Sequence, residues 1–577
     1  MRLGPLTALV VATSAWAAVP QKPLADLKQE YLDGLFRAKP HLATFMGDHR
    51  FDDRLVDLSP AALKAREAEL VALEKRLQAL GSYEHKVMLD ENIDHAILTD
   101  GIGLELLYLR EIKDWSWDPR LYDSFPFYDP REMVNERLSF IIHGTYAPEA
   151  ERRKAVAAQL AALPKLIQQQ KAQLEQPSKV HLEQAVKDNQ GRIEVFESEI
   201  KEFTQADAMA ESARVKAVAA LRDYQSFLEK IPPEKATRDW RLGAVLYKKK
   251  FPLALQTRIS TDDAASHARQ AFDEARKELY EVSKRIVGKE AAKLAMKETL
   301  LRAKEVVSQD HPKPDELVQA HAGNLDRLRA FIVEHDLLTL PPKDSLSVKP
   351  MPLFKRGALA AEYLAPEVLS KQPTFHATYF VDPIDPTWKP EKVENYLRGQ
   401  YNCAVELVAA HEAYPGHHTQ FSYERHDLNP LRAVLWNGPM VEGWAVYGEG
   451  LLVKLGYGGA KNDCYRWDDA KGRMIVATNI LIDIGLQSGT MSDEEAVRFM
   501  VEEGFQERMV AEKKLKRAKL DSTQLAQYFL GLDQIERLEA DYRKKVGDQF
   551  KQRTFNEALI GHGSIAVEHL RAYLLGR

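Results

Sequence analysis

Residues 402–418 read Asn-Cys-Ala-Val-Glu-Leu-Val-Ala-Ala-His-Glu-Ala-Tyr-Pro-Gly-His-His. An apolar stretch with helical spacing runs into His411-Glu412, and His417-His418 follow. Histidine is a common zinc ligand, and a glutamate beside one can take a proton from a metal-activated water. The familiar helical zinc motif places its two histidines four residues apart, on one face. Here the second histidine comes six residues on at His417, or seven at His418. Six residues of ideal helix give roughly 240° of rotation and ~9 Å of rise. Two imidazoles so placed cannot both reach one zinc at ~2.1 Å, so the helix must deform between them. Pro415 removes the N–H that would bond to the carbonyl of His411, and Gly416 permits unusual backbone angles. A kinked turn over 413–416 brings His417 back beside His411. His418 is the competing ligand, since seven residues return to nearly the same face about 10.5 Å further along. The metal-free alternative is a plain helix end with capping histidines.

The third ligand must come from elsewhere. Gly438-Pro439 opens a further helix with Glu442 in its first turn, and Glu449 two turns on lies on nearly the same face. Glu442 is the candidate ligand. Glu449 is the candidate partner that orients a ligating histidine. Two histidines, one glutamate and an open position form a catalytic zinc pattern.

The elements that must hold these groups are helical almost throughout. Ser59-Pro60 is a helix start, leucines at 63, 70, 73, 77 and 80 follow a three-to-four spacing, and Gly81 is a stop. Segments 149–175, 205–230, 260–288 and 313–335 repeat the style, and helices resume at Asn402. Between 340 and 390 nine prolines interrupt it, and Phe375 to Val381 reads as a β-strand ended by Asp382-Pro383. A small sheet beside the site is expected there. Its strand could pair with an extended peptide, with His376 and Tyr379 lining the groove.

The 577 residues, 45% hydrophobic and 29% charged, are enough for a large core with a solvated surface. Lys and Arg number 80 against 85 Asp and Glu, a net charge of −5, so there is no basic footprint for nucleic acid. Beyond the N-terminus no apolar run is long enough to span a membrane. Residues 1–17 read as a signal peptide: Arg2, an apolar run from Leu3, and Ala15-Trp16-Ala17 as the cleavage site. The protein is therefore expected to be exported, periplasmic or secreted. No cysteine near Ala17 offers a lipid attachment point. Export permits a bridge between Cys403 and Cys464, whose pairing the sequence leaves open. The expected division is an N-terminal helical lobe, 18–340, and a catalytic lobe, 341–577, within one continuous body.

The run His411 to Gln420, with Glu442-Gly443-Trp444-Ala445, resembles the bacterial family catalogued as domain of unknown function 885. The likeness extends over nearly the whole chain after residue 17. Ala43-Thr44 and Gly47-Asp48-His49-Arg50-Phe51-Asp52-Asp53-Arg54-Leu55 are similar to its opening signature. Arg517, the run Gln524 to Gly531 with Tyr528, and Gly561-His562-Gly563-Ser564-Ile565 are similar to its later positions. Ser522-Thr523 stands where the family pattern has Pro-Gly, and Ala518 where it has Tyr. That family is grouped with the helical gluzincin zinc metallopeptidases of thimet-oligopeptidase and angiotensin-converting type. The resemblance implies a mostly α, two-lobed body with a deep groove and one zinc ion at its floor. In those peptidases a glycine precedes the second histidine ligand and the ligand glutamate follows about 25 residues later. This selects His417 over His418, with Glu442.

The expected function is an exported zinc metallohydrolase acting on peptides, as an oligopeptidase or carboxypeptidase, with Glu412 as general base. Tyr528, then His562, are the candidate donors to the oxyanion. Arg517 could hold a substrate carboxylate through a bidentate pair. The alternatives are an inactive zinc-containing peptide-binding protein, a hydrolase of another amide or ester, and a metal-free helical scaffold.

Overall fold

The computed structural model describes residues 22–81, 89–125, 131–352, 356, 359–365, 367–370, 376–426 and 428–576. The expected signal peptide, residues 1–17, lies outside them. The helices begin and end where local chemistry dictates. Ser59 caps helix Pro60–Leu80 by accepting the N–H of Ala62, and Gly81, in the left-handed region, stops it. Ser260 caps Thr261–Val287 through the N–H of Asp263. Glu149–Gln173, Ala208–Glu229 and Leu317–Glu334 fall in the other segments with helical spacing. The molecule is mostly helical, and no described helix is long and apolar enough to cross a membrane.

Buried apolar residues form two clusters. The smaller gathers Leu138, Leu160, Leu163, Phe196, Leu221 and Tyr224 from helices between 135 and 229. The larger takes in the N-terminal helices, Trp117 and Phe125, and most of the buried apolar residues from Tyr247 onward. The expected boundary at 340 runs inside this larger core. A cavity of about 780 Å³ lies where the two clusters meet, lined from one by Leu58, Leu121 and Met133 and from the other by Tyr108 and Phe125.

The proline-interrupted stretch contains the expected small sheet, with strands Leu346–Pro350, Ala361–Leu364 and Ala377–Val381. Phe375, expected in the last strand, is outside the described residues. Ala377–Val381 is central: it pairs in parallel with Leu346–Pro350 (Val348 opposite Tyr379) and antiparallel with Ala361–Leu364 (Tyr363 opposite Tyr379). Both its edges are taken, so it cannot receive an added peptide strand, which corrects that expectation.

Helix Asn402–Glu412 carries His411, helix His417–His426 follows after a tight bend, and helix Gly438–Lys454 carries Glu442 and Glu449. Cys403, at the start of the first, is bridged to Cys464, at the start of helix Asn462–Ser488. The Glu442 helix crosses helix Gln527–Val546 at two glycines. A methyl group on Gly531 would lie 1.7 Å from the carbonyl oxygen of Pro439, and one on Gly443 would lie 2.4 Å from the carbonyl carbon of Gly531. Only hydrogen fits at either position, and this closeness sets Glu442 beside Tyr528.

Candidate metal centre

The bend is made where the residue types require it. Helix Asn402–Glu412 ends three residues before Pro415, whose bond to Tyr414 is cis. The N–H of Gly416 reaches back to the carbonyl of Ala410 at 3.0 Å, and that of Thr419 to Ala413 at 3.3 Å. A methyl group on Gly416 would lie 1.8 Å from the carbonyl oxygen of His411. The second helix therefore folds directly onto the end of the first. Trp444, fully buried in the Glu442 helix, donates its indole N–H to the Pro415 carbonyl at 3.0 Å and ties the bend to that helix.

His411, His417 and Glu442 converge. One ligand-capable atom from each lies within 4.8 Å of the others. Glu442 Oε2 is 3.5 Å from His411 Nε2 and 3.9 Å from His417 Nε2. Donors tetrahedrally arranged around zinc at about 2.1 Å would stand roughly 3.4 Å apart, so these residues fit such an ion. The two imidazoles meet edge to face, centroids 4.7 Å apart. Glu449 Oε1 accepts from His411 Nδ1 at 2.7 Å. That bond holds a proton on Nδ1 and turns Nε2 toward Glu442 and His417, as carboxylate partners of metal histidines do. Against burial, Glu442 and Glu449 raise this imidazole well above its ordinary value, so an ion at Nε2 would take the place of a proton there.

The electrostatics match a cation site. Burial pushes His417 down to about 3, with His411 adding to the effect, so its ring is neutral and able to ligate. Burial opposes the charge on Glu442, but the His411 hydrogen bond and the nearby His417 and Arg517 outweigh it and hold that carboxyl below its ordinary value. Glu412 sits beside the donors. Burial pushes its carboxyl up to about 7, His411 opposing and Glu442 reinforcing. Its Oε2 accepts the backbone N–H of Tyr363 at 2.9 Å, which fixes the carboxylate to the edge strand of the small sheet.

His418, the competing ligand, points elsewhere. It is fully buried, with Nε2 at 2.9 Å from Ser345 Oγ and Nδ1 at 3.4 Å from the Tyr363 hydroxyl. Tyr528 lies against the donors: burial and the Glu442 charge raise its hydroxyl to about 12, while Arg517 and Gln524 oppose. Arg517 is thus engaged with Tyr528 and Glu442. Thr523, just before this helix, has φ +72, the left-handed conformation natural to the glycine of the family pattern.

Two expected substrate residues, Tyr379 and His562, are engaged elsewhere, and His376 borders a cavity. Tyr379 is fully buried and bonds His321 Nδ1 at 2.6 Å, so it belongs to the core and lines no groove. His376 is exposed, 2.7 Å from Ser347 Oγ, at the wall of a cavity of about 1000 Å³ bounded by Ser345, Tyr423, Arg425 and His426. His426 and Arg425 lie at the far end of the helix that His417 begins. His562 stacks on Tyr573 with centroids 3.7 Å apart, and its carbonyl accepts from Arg432, so its ring serves a C-terminal cluster. Tyr363 is the neighbour that sequence reasoning missed. Its ring packs near His417, His418 and Phe421, and its N–H holds Glu412. A backbone donor in a proline-interrupted stretch leaves no mark in residue types.

A family model described as "Bacterial protein of unknown function (DUF885)" matches residues 40–574. No curated protein matches the chain. Among solved structures, a protein from Shewanella oneidensis described as a candidate lipoprotein of unknown function is 25% identical, with a TM-score of 0.81 over 97% of this chain and 100% of that one. A candidate lipoprotein from Colwellia psychrerythraea is 16% identical, with a TM-score of 0.77 over 97% of this chain and 100% of its own, and shares the fold.

Proposed function

This chain belongs to the DUF885 family of bacterial proteins, and from that premise we propose that it is a zinc-dependent hydrolase acting on peptides. The observation that carries the reading is the convergence of His411, His417 and Glu442 with Glu412 held alongside. A structural zinc site needs four protein donors and no base. Three donors beside a buried carboxylate suit catalysis instead.

His411, His417 and Glu442 would hold the ion, which when bound supplies Lewis acidity to a water and to the scissile carbonyl. Glu412 accepts the proton of the attacking water and returns it to the leaving amine. The Tyr363 N–H keeps that carboxylate aimed. Tyr528, protonated across the working range, donates to the oxygen that gains charge. Gly416 before His417, and Glu442 25 residues after it, support kinship with the helical gluzincin peptidases. The two separate buried clusters support the two-lobed body that kinship implies. Export is proposed from the Cys403–Cys464 bridge, the leader-like residues 1–17, and the lipoprotein description of the Shewanella protein.

The test is elemental mass spectrometry with a peptide-hydrolysis assay on the same preparations. We expect about one zinc per chain, lost in His417→Ala and kept in His418→Ala. Glu412→Gln should keep zinc and lose turnover by roughly 100-fold or more. A wild type that takes up no metal would remove the hydrolase reading. Metal without hydrolysis of peptides, amides or esters would leave a peptide-binding protein.

A further inference from the structure

The opening signature of the chain has no part in the mechanism above, yet it reaches the site. Asp52 is held on three sides: Thr44 Oγ1 donates to it at 2.6 Å, the Tyr146 hydroxyl at 2.5 Å, and His49 Nδ1 lies at 2.9 Å. Thr44 Oγ1 in turn accepts from the buried Arg137 at 2.9 Å. The His49 ring is sandwiched flat on Tyr146, 3.3 Å between centroids and 4° between planes. His49 thus has one orientation, and its Nε2 faces Glu367 Oε2 at 3.3 Å. Asp52 and Glu367 raise the imidazole to about 9 against burial, so it carries a full charge between two carboxylates at neutral pH.

Glu367 lies in the connection between the two antiparallel strands Ala361–Leu364 and Ala377–Val381. The backbone is fastened there too. The N–H of Leu369 donates to the carbonyl of Met46 at 2.8 Å. Gly47, at φ +87, lets the segment close in: a methyl group on it would stand 2.6 Å from Glu367 Cβ and 3.0 Å from the N of Ser370. The same strand, four residues before Glu367, supplies the Tyr363 N–H that holds Glu412.

We propose that His49 is a positioning residue: by bridging Asp52 and Glu367 it clamps the strand Ala361–Leu364 against the end of the His411 helix and so aims the Glu412 carboxylate. Its bearing on turnover rests on the hydrolase reading above; its hold on the strand does not. A shift of about 1 Å in a catalytic group costs up to roughly 100-fold in rate. A clamp far from the metal therefore acts on the reaction through one backbone hydrogen bond.

The experiment is hydrogen exchange read by mass spectrometry on the full chain, comparing wild type with His49→Ala, Glu367→Ala and Glu367→Gln. Amides of 361–364 should exchange about tenfold faster or more in both alanine variants, while those of 346–350 keep their wild-type rate. Glu367→Gln retains an acceptor for His49 and should stay within about threefold of wild type. In the same preparations kcat should fall about tenfold in the alanine variants, with KM and metal content unchanged. Glu367 sits in a strand connection, so its variants carry the test if His49→Ala does not fold. Unchanged exchange at 361–364 overturns the clamp. Faster exchange with unchanged kcat overturns its role in the reaction. Faster exchange in a protein whose wild type hydrolyses nothing supports the clamp and overturns the hydrolase reading instead.

Discussion

At the scale of single residues, the centre depends on which atom of each side chain faces inward. Glu449 decides this for His411 by accepting a hydrogen bond from its Nδ1–H at 2.7 Å. Glu449→Ala should leave the fold intact and weaken zinc binding by about 10- to 100-fold, measured by competition with a chelator. His411, Glu412, Glu442 and Glu449 were legible in the sequence as candidates because a helix fixes angular spacing. Glu449 falls two turns from Glu442 and so shares its face. His417 and His418 could not be separated that way, because the bend between them and His411 follows no helical period. The burial of Tyr379 was not legible for a related reason. Alternation along a strand tells the two faces apart but not which one is buried.

At the scale of elements, the helices read clearly because caps and stops are local: Ser59, Ser260, Gly81 and Pro415 all act where they stand. The sheet order did not, because pairing partners far apart in the chain carry no local signal. Ala377–Val381 therefore looked like a free edge and is the middle strand. The crossing of the Glu442 and Tyr528 helices depends on two missing side chains. Gly531→Ala should cost about 3 kcal/mol in denaturant unfolding, since its methyl group would meet the Pro439 carbonyl oxygen. The same change should lower metal affinity by moving Glu442. Gly416→Ala should be harsher on the metal than on the fold, because its clash is with the last turn of the His411 helix.

At the scale of the whole molecule, the long helix Asn462–Ser488 joins the ligand-bearing part to the N-terminal helices. Its Asp483 accepts from the Tyr247 hydroxyl at 3.0 Å. Burial pushes that carboxyl up to about 7, Asp521 adding, with the Tyr247 hydrogen bond and Lys250 opposing. The folded protein thus holds a proton there that the unfolded chain releases near pH ~4. The stability this contributes is complete below about pH 4 and is lost as pH rises through 7. Asp483→Asn should flatten that part of a stability-versus-pH profile followed by urea unfolding. The Cys403–Cys464 bridge closes a loop of 61 residues and should add about 4 kcal/mol, read as the shift in denaturation midpoint on reduction or in Cys403→Ala. The same bridge makes residues 403–464 a ring of chain, and His411, His417 and Glu442 all lie inside it. A single cut by a protease anywhere in that ring opens it without parting its ends. In the absence of a reductant the pieces stay covalently joined, and the donors on either side of the cut remain members of one molecule.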